Sequence, residues 1–148
     1  MVRIARYKRR RGTAAVEAAM MLPLIMLMTF ALIKYGWLFV KVQQINNAAR
    51  HGARVAARAD SDIGTIDPEI DLLMAKVWPS GAGTPPDNWY VVTFNPDPDP
   101  DDGTWSTGTI VTVTITVPYA GTPLDIISMP LVPVPGSIGG TASMAREG

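Results

Sequence analysis

Four aspartates lie close together in the stretch NPDPDPDDGTW, where their spacing could serve to bind a metal ion. They are Asp97, Asp99, Asp101 and Asp102. An EF-hand calcium loop needs glycine at its sixth position and glutamate at its twelfth. Counted from Asp97, those positions hold aspartate and glycine instead, so the EF-hand pattern fails. The four carboxylates remain weak candidates for another oxygen-ligand site, and a solvated hairpin loop is the preferred interpretation.

The other reactive residue types do not form a catalytic pattern. Several serines are present, but His51 is the only histidine available as a general base. No second metal-ligating residue lies three or four positions from His51, which argues against a metal site there. The chain has no cysteine, which excludes a thiol nucleophile, a cysteine zinc site and disulfides. The sequence therefore predicts neither an enzyme nor a cofactor.

Glu17 is the acidic residue in the most unusual setting. It lies between a basic block that ends with Arg9, Arg10 and Arg11 and an uncharged run from Ala18 to Ile33. A carboxylate at the edge of a lipid layer is costly and usually faces a partner. One interpretation is a helix-start carboxylate stabilised by the helix dipole, by ~0.3–1 kcal/mol. The other is an ion pair with a neighbouring subunit.

A membrane-spanning helix would position Glu17. The segment from Ala18 to Val40 has 23 residues, and a helix of that length covers roughly 34 Å, enough to cross the ~30 Å hydrocarbon layer. We expect the Lys34 ammonium to reach the membrane surface and Tyr35 and Trp37 to lie in the far interfacial belt. A cleaved secretory signal would need a small-residue site after the run, and a buried core helix would need a polar face. The sequence has neither.

The charge distribution orients this helix in the membrane. The net charge is +0, yet every charged residue before Gly12 is basic and all 13 acidic residues follow it. Basic flanks stay on the cytoplasmic side, so we predict a cytoplasmic amino terminus and an extracytoplasmic carboxyl-terminal domain. The basic block could also bind nucleic acid. An apolar run follows it directly, however, and the membrane interpretation is preferred, without a nucleic-acid partner.

The remaining sequence predicts an α+β fold. Helical periodicity continues past the membrane, so that one helix of 46 residues would run from Thr13 to Arg58. Its outer half carries a stripe of small residues, which would pack on its own domain or permit close approach of another helix. A second helix is expected to begin after Asp67 as N-cap, with Pro68 at its first position, and to end near Trp78.

Strands are predicted in three places. They are WYVVTF (Trp89 to Phe94), GTIVTVTITVPY and, with a weaker pattern, GGTASMAR. In the second, Val111, Val113, Ile115, Val117 and Tyr119 alternate with threonines, which is typical of a half-buried antiparallel strand. Four prolines between the second and third strands exclude regular helix or central strand there. The prediction is a long transmembrane-to-amphipathic helix packed on a small antiparallel sheet of about three strands.

The first 60 residues or so resemble the TadE-like proteins, which are minor pseudopilins of the bacterial Tad (tight adherence, Flp-type) pilus machinery. The resemblance rests on Arg-Arg-Gly followed by small residues and Glu17, on Leu22-Pro23, and on NNAARHGARVAA at the end of the long helix. VTVTITVPY and ASMARE resemble the family's carboxyl-terminal part more loosely. His51 stands where an acidic residue is common in the family, and the aspartate-rich loop is not a family signature.

The resemblance implies a pilin-like fold and a processing step. A prepilin peptidase would cut between Gly12 and Thr13 on the cytoplasmic side. The implied parts are a basic leader (1–12), a transmembrane helix (13–40), its amphipathic extension (41–60) and an extracytoplasmic domain (61–148). The implied partners are the membrane, the peptidase and other pilins or pseudopilins. The alternative is an unprocessed, single-span binding module of the cell envelope.

Overall fold

A computed structural model describes residues 11–58, 61–127 and 130–147. For residues 11 and 12, only the backbone is described. The described elements, in chain order, are α1 (Arg11–Ala56), α2 (Ile63–Met74), β1 (Val91–Asn95), β2 (Ile110–Pro118) and β3 (Ser137–Ala145). The three strands form one antiparallel sheet in the order β1-β2-β3. The α+β fold and the small antiparallel sheet are confirmed.

Helix α1 is a single continuous helix of 46 residues. It begins and ends two residues earlier than predicted, and it passes through Pro23 without interruption. At ~1.5 Å per residue it is roughly 69 Å long, so it extends far beyond a domain this small. Its amino-terminal half is exposed, and only its carboxyl-terminal half packs against the rest of the chain.

The sheet packs on α1 through one face of β2. Its side chains Val111, Val113, Ile115 and Val117 are fully buried, as the alternating sequence predicts. In the middle of the sheet, Val113 pairs with Phe94 on one side and with Ala142 on the other. Threonines occupy the opposite face, because side chains alternate across a strand. Burial of this apolar row holds the sheet to the helix.

Small residues of α1 allow this close packing. A Cβ atom on Gly52 would lie 2.8 Å from Cδ1 of Ile70, and one on Gly140 of β3 would lie 2.8 Å from the backbone of Asn46. Ala48, Ala49 and Ala53 are buried in the same core. The stripe of small residues therefore packs on its own domain, as one of the two interpretations held.

Helix α2 begins earlier than the sequence suggested. Its N-cap is Asp62, whose Oδ1 accepts a hydrogen bond from the Thr65 backbone N–H at 2.9 Å. Pro68 lies inside the helix, and the last helical residue is Met74. The prediction of Asp67 as the N-cap was wrong. The helix starts before Pro68 and continues after it, and this longer helix buries Ile66, Ile70 and Met74 on one face.

Candidate functional site

The start of α1 is exposed from Thr13 onward. Gly12 and Thr13 fall in the first helical turn, whereas Arg9 and Arg10 lie outside the described residues, and the side chain of Arg11 does too. The Glu17 side chain is exposed. No ion pair within the described residues includes it. Glu17 lies five positions after Gly12, about 7.5 Å along the helix axis.

The segment after Glu17 has the length and composition of a membrane span. Its most apolar 18-residue window has a mean hydropathy of 2.1, and none of that window is buried by the rest of the chain. Large apolar side chains such as Met20, Leu24 and Met28 are more than half exposed. The Thr29 hydroxyl donates a hydrogen bond of 2.9 Å to the Ile25 carbonyl, which satisfies a polar group within this run. Among the described residues, one helix is therefore long and apolar enough to cross a bilayer.

Where the uncharged run ends, α1 contacts the loop between β2 and β3. Lys34 is 1% exposed, and its Nζ lies 3.3 Å from Oδ2 of Asp125. The same ammonium donates a 3.4 Å hydrogen bond to the Val132 carbonyl. The position of Lys34 at the membrane interface stays a prediction, and the structure shows in addition that its ammonium is paired within the chain. Asp125 lies 91 positions after Lys34 in the sequence. No local sequence pattern predicts a contact between residues so far apart.

Two aromatic residues of α1 hold the same loop. The Trp37 Nε1–H donates a hydrogen bond of 2.8 Å to the Leu124 carbonyl. The Tyr35 hydroxyl donates one of 2.8 Å to the Pro133 carbonyl. Trp37 also lies beneath the Lys41 ammonium, 4.6 Å from ring centre to Nζ. These side chains were expected in the interfacial belt, and the structure shows in addition that they bind protein backbone.

Two aspartates of the aspartate-rich loop accept hydrogen bonds from neighbouring residues of the same loop. Asp99 Oδ1 accepts the Asp101 backbone N–H at 2.9 Å, and Asp102 Oδ1 accepts the backbone N–H and hydroxyl of Thr104 at 2.9 and 2.8 Å. Those bonds lower the pKa of Asp102. No group of three or more histidine, aspartate or glutamate residues that could hold a metal ion occurs among the described residues, which include Asp97.

The loop instead supports the start of α2. The Gly103 carbonyl accepts the Ile63 backbone N–H at 3.1 Å, which satisfies one of the free donors of the first helical turn. Gly103 has a φ of 69°, a left-handed conformation that glycine adopts without strain. The carboxylates of this loop therefore organise the backbone that caps a helix.

His51 lies between the two helices. Its Nε2 is 3.2 Å from Oε2 of Glu69, and both side chains are partly exposed. This contact joins α1 to α2 at the surface. His51 therefore has a carboxylate partner on the neighbouring helix.

A groove of about 840 Å³ lies between α2 and the segment that leads into β1. Its lining includes Asp67 and Asp71 from one side and Trp89 and Tyr90 from the other. The Tyr90 hydroxyl donates a hydrogen bond to Asp71 Oδ1. Burial, together with the neighbouring charge of Asp71, raises the pKa of Asp67. No sequence pattern indicates this groove, because its residues come from separate elements.

Aromatic rings and carboxylates line the groove. Trp89 packs edge-on against Trp78 and Tyr90, with ring centres 5.1 Å apart in both pairs. Asp87 also lines the groove, and its lining residues include no lysine, arginine or histidine. Aromatic faces and carboxylates both attract cations, so the chemistry of this groove suits an ammonium or guanidinium group.

Comparison with known proteins places a family signature on α1. Residues 12–54 match the family model described as TadE-like protein. The match confirms the resemblance for this part of the chain, which includes Gly12, Thr13 and Glu17 and ends before the sheet. A TadE-like domain suggests a Tad pilus-associated protein. No curated protein and no solved structure matches the chain.

Proposed function

We propose that this chain is a minor pseudopilin that is processed by a prepilin peptidase and takes part in assembly of a Tad (Flp-type) pilus or a related secretion apparatus. The observation that carries the proposal is Glu17: an exposed carboxylate near the start of a TadE-like helix whose apolar half its own domain leaves uncovered. A helix half of this kind is stable only against lipid or other helices. The helix would lie in lipid before assembly and against the helices of other pilins or pseudopilins after it.

Processing would prepare the helix for assembly. A cut between Gly12 and Thr13 removes the basic leader, including Arg9, Arg10 and Arg11. Glycine suits such a cut because it accepts the extended backbone that a protease requires. The new α-amino group of Thr13 is cationic at neutral pH, since such groups titrate near ~8. Cleavage therefore creates one positive charge close to a carboxylate.

Glu17 would then bind the α-amino group of a neighbouring subunit. Within one straight helix, Thr13 and Glu17 are about 6 Å apart along the axis, so a charge on the next subunit can meet the carboxylate when the helices are staggered. Acidic groups at membrane depth are retained where they pair. The pair would set the register between helices, and the apolar side chains would supply most of the contact area.

The location follows from the same segment. We place α1 across the cytoplasmic membrane as a single span, with the basic leader on the cytoplasmic side and the sheet domain outside. The function needs no cofactor and no catalysis by this chain.

Sequencing the amino terminus of the mature protein tests processing. The expected first residue is Thr13 in cells with an active prepilin peptidase, and Met1 or Val2 in cells without one. A Gly12→Val variant should keep the leader, because the branched side chain obstructs the extended backbone at the cut. A mature chain that begins at Met1 or Val2 in peptidase-positive cells would reject the pseudopilin function.

Substitution of Glu17 tests assembly separately. Glu17→Ala should leave membrane insertion intact and abolish piliation, and Glu17→Gln should do the same because it keeps the size and loses the charge. Glu17→Asp is the matched control that keeps the charge and should retain partial assembly. Full piliation by Glu17→Ala would show that the carboxylate has no role in pairing.

The acidic groove favours a second candidate, an unprocessed, membrane-anchored binding module of the cell envelope. In that case the groove would hold a cationic group of an envelope partner against Trp89 and Tyr90. The purified chain should then bind an arginine-containing peptide, and Asp67→Asn should weaken that binding. Asp97→Asn, in the aspartate-rich loop, is the control. Absence of binding by the wild-type chain at millimolar peptide would remove this candidate.

A further inference from the structure

The loop between β2 and β3, residues 119–136, lies beside the point where α1 leaves its uncharged run. We call it the membrane-proximal loop, and it is described except at positions 128 and 129. Lys34, Tyr35 and Trp37 bind its backbone or side chains at four points. All three residues belong to one helical turn that directly follows Ile33. The loop is therefore held at a defined height along α1.

The charged groups of Lys34 and Asp125 are enclosed between the membrane-proximal loop and α1. The side chains of Lys34 and Asp125 are 2% and 6% exposed. Asp125 is the only charged residue between Pro118 and Ser137 in the sequence, so the ion pair neutralises the one charge that the loop carries. Charged groups are tolerated near lipid when they are paired and shielded. The loop therefore presents no unpaired charge to its surroundings.

The outward surface of the same loop is apolar. Leu131 is 72% exposed and Ile126 is 47% exposed. Prolines at 123, 130, 133 and 135 have no backbone N–H, which reduces the number of donors that would need water. Exposed leucine and isoleucine on a loop that lacks free charge are typical of a surface that contacts another apolar phase.

Apolar exposure also continues on α1 next to the loop. Phe39 is 63% exposed and Val40 is 47% exposed. Val40 lies six residues beyond Lys34, about 9 Å along the helix axis. The loop therefore stands beside the last two turns of the apolar surface of α1. Amphipathic helices that lie in the membrane interface bury their apolar face ~5–10 Å into the boundary between headgroups and acyl chains. We expect a similar depth for the apolar side chains of this loop.

We propose that the membrane-proximal loop rests in the outer leaflet of the bilayer that α1 crosses, with Leu131 and Ile126 inserted among the lipids. This inference rests on the membrane span of the proposed function. The loop and α1 together give the domain two attachments to one leaflet. The domain would then be fixed in tilt and rotation relative to the membrane surface, with β1 and its groove held at one height above the lipid.

Depth-dependent fluorescence quenching tests the inference. The chain has no cysteine, so single-cysteine variants of the full chain can each carry one environment-sensitive dye. The variants are Leu131→Cys in the loop, Leu24→Cys in the span, and Thr107→Cys at the opposite end of β2. The nine residues of β2 separate Thr107 from the loop by roughly 30 Å. The proteins are reconstituted in phosphatidylcholine and phosphatidylglycerol vesicles that contain lipids spin-labelled at a shallow or a deep acyl position.

We expect the dye at position 131 to be quenched most by the shallow label, at a depth of ~5–10 Å. The dye at position 24 should be quenched by the deep label, and the dye at position 107 by neither. Quenching at 24 without quenching at 131 would overturn the loop inference and leave the span intact. Loss of quenching at 24 would reject the span and the loop inference together. Equal quenching at 107 and 131 would mean that the whole domain adheres to lipid, which also contradicts the proposal.

Discussion

Removal of the Asp125 charge should release the membrane-proximal loop from α1. The ammonium of Lys34 and the carboxylate of Asp125 are 3.3 Å apart. At an effective dielectric constant of about 20, two unit charges at that distance attract by roughly 5 kcal/mol. Asp125→Asn leaves the Lys34 charge buried and unpaired, which costs about 3–5 kcal/mol in comparable buried pairs. We expect the loop to detach without unfolding the sheet, so this free energy should appear as easier local opening.

Thiol labelling of a buried position measures that opening. Val132 is 5% exposed, and its carbonyl accepts the Lys34 hydrogen bond, so a Val132→Cys background reports on loop detachment. A loss of 3–5 kcal/mol should raise the labelling rate by about a hundredfold to a few thousandfold. Asp97→Asn, a substitution in the exposed aspartate-rich loop, is the matched control and should leave the rate unchanged.

A double substitution separates the charge from the packing. Lys34→Met combined with Asp125→Leu removes both charges and should return the labelling rate to near the wild-type value, since an apolar pair of similar volume replaces a buried ion pair without loss. A rate that changes less than about threefold in Asp125→Asn alone would refute the reasoning, because it would mean that the pair contributes under ~1 kcal/mol, as exposed pairs do.

Two further predictions concern the packing of the domain and the acidic groove. Gly140→Ala should lower the free energy of unfolding by about 1–3 kcal/mol in denaturant titrations, because the added Cβ meets the Asn46 backbone at 2.8 Å. Gly136→Ala, with nothing within 4 Å of its Cβ, is the control and should not destabilise; equal effects would contradict the packing argument. Asp67→Asn should become increasingly more stable than the wild type as pH rises from about 4 to 7 in thermal unfolding followed by circular dichroism. Burial and Asp71 raise the pKa of Asp67 in the folded state, so the wild type loses stability as this carboxyl ionises, and a stability difference independent of pH would contradict the assignment.

The candidate assembly site was readable from sequence because its residues are close together in the chain. Gly12, Thr13 and Glu17 lie within two turns of one helix, and the apolar run that follows has no polar face, which distinguishes it in the sequence from a core helix. The acidic groove was not readable, because Asp67 and Asp71 meet Trp89 and Tyr90 only after the chain has turned back on itself.

The start of α2 was predicted wrongly because a contact from a distant part of the chain helps to set it. Asp67 followed by Pro68 is a strong helix-start pattern, yet Asp62 is the cap. A proline in the second turn removes one backbone hydrogen bond, whereas an earlier start satisfies the Thr65 N–H and buries Ile66. The earlier start also depends on Gly103, a residue of a distant loop whose carbonyl accepts the Ile63 N–H. Helix propensity, which is a local property of the sequence, does not include this contact.

The sequence by itself determined the elements whose period is regular. The alternation of valine and threonine in β2 places every second side chain in the core, and the uncharged run of α1 defines a helix long enough to span a bilayer. Only the tertiary structure decided what Lys34 does. The sequence shows a charge that interrupts an apolar surface, whereas the fold brings Asp125 to it and encloses the pair. Such a contact joins residues far apart in the chain, and its free energy depends on burial, which exists only once the domain has folded.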